Sequence, residues 1–194
     1  LPLFDIRIYT GPKISRQIFR KKIKIIMEML KTDQEWMLLA LKAAKEIPNI
    51  EQNQKTADNS DKAAKDIPVG AVIVENGKLI CAGQNRKELL NDVTGHAEIV
   101  TLRQAAAIKG TWRLTGMTIY TTLEPCPMCA EAIIQSRISK VVFGAYDPLS
   151  GALGSAFNLY AGKRIYPIPE VLGGILEAEC SDLLKQFFAK GRPN

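Results

Sequence analysis

Two short segments carry the residue types that could do chemistry: His96-Ala97-Glu98 and Pro125-Cys126-Pro127-Met128-Cys129. Imidazole nitrogen and thiolate sulfur are ligands that zinc favours. Two cysteines three apart lie on one face of a helix's first turn, so both sulfurs can reach one ion at about 2.3 Å while His96 supplies a nitrogen. Three protein ligands leave the fourth tetrahedral position to water, whose proton the metal makes easier to lose near neutral pH. A carboxylate two residues from a ligand, and not needed as one, can take that proton and return it to a substrate nitrogen and a leaving group. His96, Cys126 and Cys129 are therefore the expected zinc ligands, and Glu98 the expected proton carrier.

Taken singly, these residues are weak signals. The chain has one histidine, and a lone histidine is most often a surface or core residue, while a Cys-x-x-Cys pair can be redox-active or structural. A structural zinc normally takes a fourth Cys or His, and Cys81 and Cys180 stand at no spacing that would complete one. Those two lie in apolar surroundings and read as small core residues. Four cysteines so placed do not make a disulfide scaffold. The combination, in this order, points to a catalytic site.

The elements that must position these groups are legible from pattern. Apolar residues recur on one helical face from Asp33 to Ile47, with Thr32 or Asp33 as N-cap. Val69 to Glu75 and Lys78 to Gly83 flank Asn76-Gly77, the pair that suits a type I′ turn, and read as a hairpin. Thr94 or Gly95 caps a helix running to Lys109, Thr118 to Thr122 is a strand, and Pro127 occupies the first position of a helix reaching Ser136 or Arg137. Lys140 to Ala145 is an almost continuous apolar strand, as expected when helices cover both faces, and Asp182 to Lys190 closes the chain as an amphipathic helix. The sum is an α/β fold, a three-layer α/β/α arrangement with a central mixed sheet. Both donor segments then open helices, whose exposed N–H groups favour thiolate over thiol.

Length and charge set the outer limits. The 194 residues, 46% of them apolar, suit one folded domain with additional segments. No apolar run is long enough to span a bilayer, and the expectation is a protein of the cytoplasm with no membrane attachment. The net charge of +6 resides wholly in residues 1–31, which hold eight basic and two acidic residues; the remaining chain is balanced at 18 of each. Basicity is thus no argument for a polyanion site on the folded domain. Residues 1–31 read as a basic extension, for which a transit peptide, an RNA-contacting arm or no folded role all stay open. Residues 32–194 read as the folded domain, with a polar insertion at 48–66 expected to be solvated.

The pattern H-x-E followed by P-C-x-x-C is that of the zinc nucleobase deaminases, and the chain resembles the cytidine deaminase-like superfamily, most of all its bacterial-type tRNA-specific adenosine deaminases. The resemblance extends over about residues 33–190. It rests on Ile67-Pro68-Val69-Gly70-Ala71-Val72, Asn85-Arg86, Gly95 to Ile99, Leu123 to Ala130, Val142 to Asp147 and Gly151 to Ser155, with Phe187-Phe188 near the end. It implies zinc-dependent hydrolysis of adenosine to inosine at the wobble position of a tRNA anticodon loop, by a homodimer. Asn85 would then hydrogen-bond the flipped purine and Asp147 would lie beside the nucleotide. A turn asparagine and a capping aspartate are the plain alternatives.

The zinc pattern is shared with deaminases of free guanine and cytosine, so a free nucleobase or nucleotide is the alternative substrate. A non-catalytic RNA-binding partner, the role of relatives that lose the glutamate, is disfavoured by Glu98. Arg86, Lys87, Lys185, Lys190 and Arg192 are either contacts for RNA phosphates or ordinary solvated charge. Phe187 and Phe188, adjacent on a helix, cannot both face one core.

Overall fold

The computed structural model describes residues 31–45 and 66–190. Helix α1 (Asp33–Lys45) precedes a five-stranded sheet of β1 (Gly70–Glu75), β2 (Lys78–Gln84), β3 (Met117–Leu123), β4 (Lys140–Ala145) and β5 (Glu170–Leu172). The remaining helices are α2 (Lys87–Leu90), α3 (Ala97–Lys109), α4 (Pro127–Gln135) and α5 (Glu177–Ala189). The spatial strand order is β2-β1-β3-β4-β5. β1 pairs antiparallel with both β2 and β3, and β3, β4 and β5 run parallel, so the sheet is mixed as expected.

The strands read as continuous apolar runs because both faces are covered. Alternate side chains point opposite ways. Val72, Val74, Tyr120 and Val142 pack with Trp36, Met37, Ala40 and Leu41 of α1 and Cys180 of α5. Ile73, Ile119 and Val141 pack on the other side with Leu102 and Ala105 of α3 and Ile133 of α4. Cys81 and Cys180 are buried in these two clusters, in agreement with their reading as core residues, and burial pushes both thiols up to about 11. The three-layer α/β/α architecture follows from this division.

Local chemistry fixes the boundaries. Thr32 is the cap of α1: its Oγ1 accepts the Glu35 N–H at 3.3 Å, and Glu35 accepts the Thr32 N–H at 2.7 Å, a reciprocal capping box. Asp33, the other cap candidate, instead accepts from the Tyr120 hydroxyl and the Lys140 ammonium, pinning α1 across β3 and β4. Asn76 and Gly77 have φ of 50° and 71°, the left-handed pair that a type I′ turn needs. β1 approaches α1 so closely at Gly70 that a Cβ there would stand 2.2 Å from the Ala40 carbonyl oxygen.

Four sequence expectations change. The closing helix begins at Glu177 rather than Asp182, because Cys180 is a core residue that needs a helical turn before it, and Glu177 and Glu179 complement the N-terminal dipole. Helix α3 is capped at His96 rather than at Thr94 or Gly95, Thr94 being held by the Asp92 carboxylate. The one-turn α2 and the three-residue β5 carry too little periodicity to be read in advance. Asp66, assigned to the solvated insertion, is buried, and its carboxylate accepts the N–H groups of Glu88 and Leu89 at 2.8 and 3.1 Å. The rest of that insertion, residues 1–30 of the basic extension and the segment beyond Lys45 toward Ile47 lie outside the described residues.

Candidate functional site

His96 is the N-cap of α3 and Cys126 the N-cap of α4, with Pro127 at the first helical position and Cys129 in the first turn. Cap positions usually hold a short oxygen side chain turned onto the helix N–H groups. Neither His96 nor Cys126 makes such a bond; their side chains face each other instead. The His96 Nδ1 lies 3.6 Å from the Cys126 sulfur and 3.6 Å from the Cys129 sulfur. All three donors fall within 4.8 Å of one another.

This triangle can be tested against the geometry of an ion. With zinc–sulfur near 2.3 Å and zinc–nitrogen near 2.05 Å at a tetrahedral angle, nitrogen and sulfur should stand about 3.6 Å apart. The spacing fits without movement. The electrostatics agree: the Cys126 thiol, hydrogen-bonded by Cys129 and by the His96 ring, is drawn down to about 4. Cys129, sharing its proton with that thiolate, is pushed up, and the His96 ring is raised chiefly by its bond to Cys126. An ion that displaced the proton shared between the two sulfurs would take both as thiolates.

Glu98 sits in the first turn of α3, 4% exposed. Burial pushes its carboxyl up to about 7, the range in which a group can both take and give a proton at neutral pH. It lines a cavity of about 290 Å³ together with His96, Cys126, Asn85, Glu124, Asp147 and Ser150. Asn85 and Asp147 therefore line one cavity with His96, Cys126 and Glu98.

These two differ in how free they are. The Asn85 amide nitrogen donates to the Ile67 carbonyl at 3.2 Å, which fixes the amide orientation and leaves its buried Oδ1 without a partner among the described residues. A buried acceptor with no donor is costly, and a ligand N–H would satisfy it. Asp147 is committed to its own loop: Oδ1 accepts the N–H groups of Leu149 and Ser150, and Oδ2 accepts the Ser150 hydroxyl. It shapes the cavity wall as a turn cap.

Three acidic residues of the cavity lining escaped the sequence reading, Glu88 of the one-turn α2 among them. Asp66 was hidden by the polar run before it. Glu124, quoted only as part of the Leu-Glu-Pro-Cys segment, is 1% exposed and accepts three backbone N–H groups of the loop after β4. A lone acidic residue at the end of an apolar strand was the available signal. Of the basic candidates, Lys87 lines the cavity, Lys185 pairs with Asp182 at 3.2 Å, and Arg192 lies outside the described residues. The Phe187 and Phe188 rings meet edge to face, with Phe188 exposed.

Residues 49–145 match the cytidine and deoxycytidylate deaminase zinc-binding region, and the chain belongs to that family. The domain is thus a zinc-binding one, and its His/Cys/Cys group fits Zn²⁺. Within the family, the chain is 46% identical over 127 residues to the tRNA-specific adenosine deaminase of Bacillus subtilis (strain 168), covering 66% of this chain and 79% of that one. The tRNA-specific adenosine deaminase of Haemophilus influenzae is 44% identical over 137 residues, covering 70% and 79%. A solved structure from studies of A-to-I editing by tRNA:A34 deaminases at the wobble position superposes with a TM-score of 0.66 at 37% identity, covering 77% of this chain and 99% of that one.

Proposed function

We propose that this chain is a zinc-dependent hydrolytic deaminase that converts adenosine to inosine at the wobble position of tRNA. The observation that carries the chemistry is the buried Glu98 carboxyl in one cavity with His96 and Cys126, two corners of the His96, Cys126 and Cys129 donor triangle. The adenosine assignment is supported by the relatives' activity and by the unpartnered Asn85 acceptor in the same cavity.

His96, Cys126 and Cys129 would hold the zinc, which would make a bound water acidic enough to act as a nucleophile. Glu98 takes the proton of that water as its oxygen attacks C6 of the purine. The carboxyl then delivers that proton to N1, takes the remaining proton of the new C6 hydroxyl and passes it to the exocyclic nitrogen, so that the C6–N bond breaks and ammonia leaves with C6 as a carbonyl. Adenosine and water give inosine and ammonia, with Glu98 returned to its starting state. Asn85 Oδ1 accepts from the purine, and Asp147 forms the wall beside the nucleotide. Reaching C6 requires the base out of its stack, which a single-stranded anticodon loop makes inexpensive. Of the family's shared expectations, a homodimer completes the assembly, and a reducing compartment such as the cytoplasm suits the donor thiols.

The deciding assay incubates the full chain with a tRNA bearing adenosine at the wobble position, alongside free guanine and cytosine. Inosine at that one position, with the free bases untouched, is the expected result. Turnover of a free base with no inosine in the tRNA would overturn the substrate assignment while leaving the zinc chemistry standing.

A further inference from the structure

Glu124 is a buried carboxylate with no basic side chain paired to it among the described residues. A carboxylate in such a place is tolerated when N–H groups occupy its lone pairs, and here all of them come from one loop. Oε2 accepts the Asp147 N–H at 3.2 Å, and Oε1 accepts those of Leu153 and Ser155 at 2.9 and 3.2 Å. The same loop is fastened a second time where the Ala152 N–H donates to the Pro125 carbonyl at 2.9 Å. At Gly151 the loop backbone comes so near that a Cβ would stand 2.4 Å from Oε2, so only glycine permits the approach.

Glu124 therefore joins two parts of the site. Through Pro125 it adjoins the metal donor Cys126, and through its oxygens it holds residues 147–155, of which Asp147 and Ser150 line the cavity. Resting on the deaminase reading above, we propose that Glu124 is a positioning residue that clamps the 147–155 loop as the substrate-facing wall of the cavity. It governs substrate affinity and leaves proton transfer and metal retention to Glu98 and the donor set.

The chemistry of the two oxygens gives a selective probe. In Glu124→Gln one carboxylate oxygen becomes an NH₂ group. The amide oxygen keeps the Leu153 and Ser155 donors, since the opposite orientation would set NH₂ against two N–H groups rather than one. The Asp147 N–H then faces a donor and is released. Full-length wild type, Glu124→Gln and Gly151→Ala are compared, the last forcing the loop from the other side while the carboxylate stays intact.

In Glu124→Gln, amide exchange at Asp147 should accelerate about tenfold while Leu153 and Ser155 stay within about threefold, matching the loss of one buried hydrogen bond. KM for an anticodon stem-loop should rise about tenfold in both variants, with kcat within about threefold and zinc content unchanged. Unaltered exchange at Asp147, a fall in kcat at constant KM, or loss of zinc would each overturn the proposal. Inosine formation by wild type checks the underlying reading separately: if wild type makes none, that reading fails, and amide exchange still decides the clamp. If Glu124→Gln does not fold, Gly151→Ala supplies the KM-against-kcat test.

Discussion

Replacing Glu98 by glutamine isolates the step on which the chemistry depends. The amide has nearly the volume of the carboxyl and sits in the same buried first turn of α3, so the His96, Cys126 and Cys129 triangle keeps its spacing. What disappears is basicity. General acid–base catalysis contributes about 10²–10⁴-fold, and the structure says where in that range the loss should fall. Of the other acids lining the cavity, Asp66, Glu124 and Asp147 have their oxygens occupied by backbone N–H groups and, at Asp147 Oδ2, by the Ser150 hydroxyl, and Glu88 stands on α2. None of the three occupied carboxylates is free to take over the proton of a water at the metal. The expected loss in kcat is thus at the upper end, about 10⁴-fold, with one zinc per chain retained and KM changed by less than about threefold. Single-turnover inosine formation and metal analysis on the same preparation measure both. Activity within about tenfold of wild type, with zinc in place, would refute the role given to Glu98.

Three further outcomes follow from the geometry. Cys129→Ser removes one soft donor from the triangle and should abolish both zinc retention and inosine formation, as should extended chelation of the wild type, with activity returning on zinc addition. Gly70→Ala drives a Cβ into the Ala40 carbonyl and the Ala44 backbone, contacts that cannot rotate away; it should destabilise the fold by about 3 kcal/mol, seen as a lower urea midpoint. Cys81 and Cys180, raised from 9.0 to about 11 by burial, favour the folded state fully below about pH 9 and progressively less as pH rises toward 11, because the unfolded chain releases those protons first. Urea midpoints should fall over that window, and the fall should shrink when both residues are replaced by alanine.

How much was legible beforehand divides along physical lines. The strand from Lys140 to Ala145, the Asn76-Gly77 turn and the helix opening at Pro127 were readable because each depends on local chemistry: a run of apolar residues, a left-handed pair, a fixed φ. That His96, Cys126 and Cys129 would cluster beside Glu98 was readable because metal ligation demands particular atoms at particular spacing. Asp66 and Glu124 were not, because each acts through backbone N–H groups more than twenty residues away in the chain, and a backbone donor has no residue type to announce it. Asn85 was legible as a candidate only by resemblance; its distinguishing property, an acceptor left open by the Ile67 carbonyl, exists only in the folded arrangement. Asp147 lines the cavity, and its carboxylate bonds within its own turn match the capping alternative also foreseen.

The imidazole between the two thiols is the single histidine of the whole sequence. Isotopic labelling of histidine alone would therefore yield one set of ring resonances, and every change in it would report metal occupancy at this site with no background to subtract. The same fact has a practical edge for preparation: a polyhistidine tag would introduce more imidazoles than the protein owns, all competing for the ion, so metal counts are meaningful only after the tag has been cleaved.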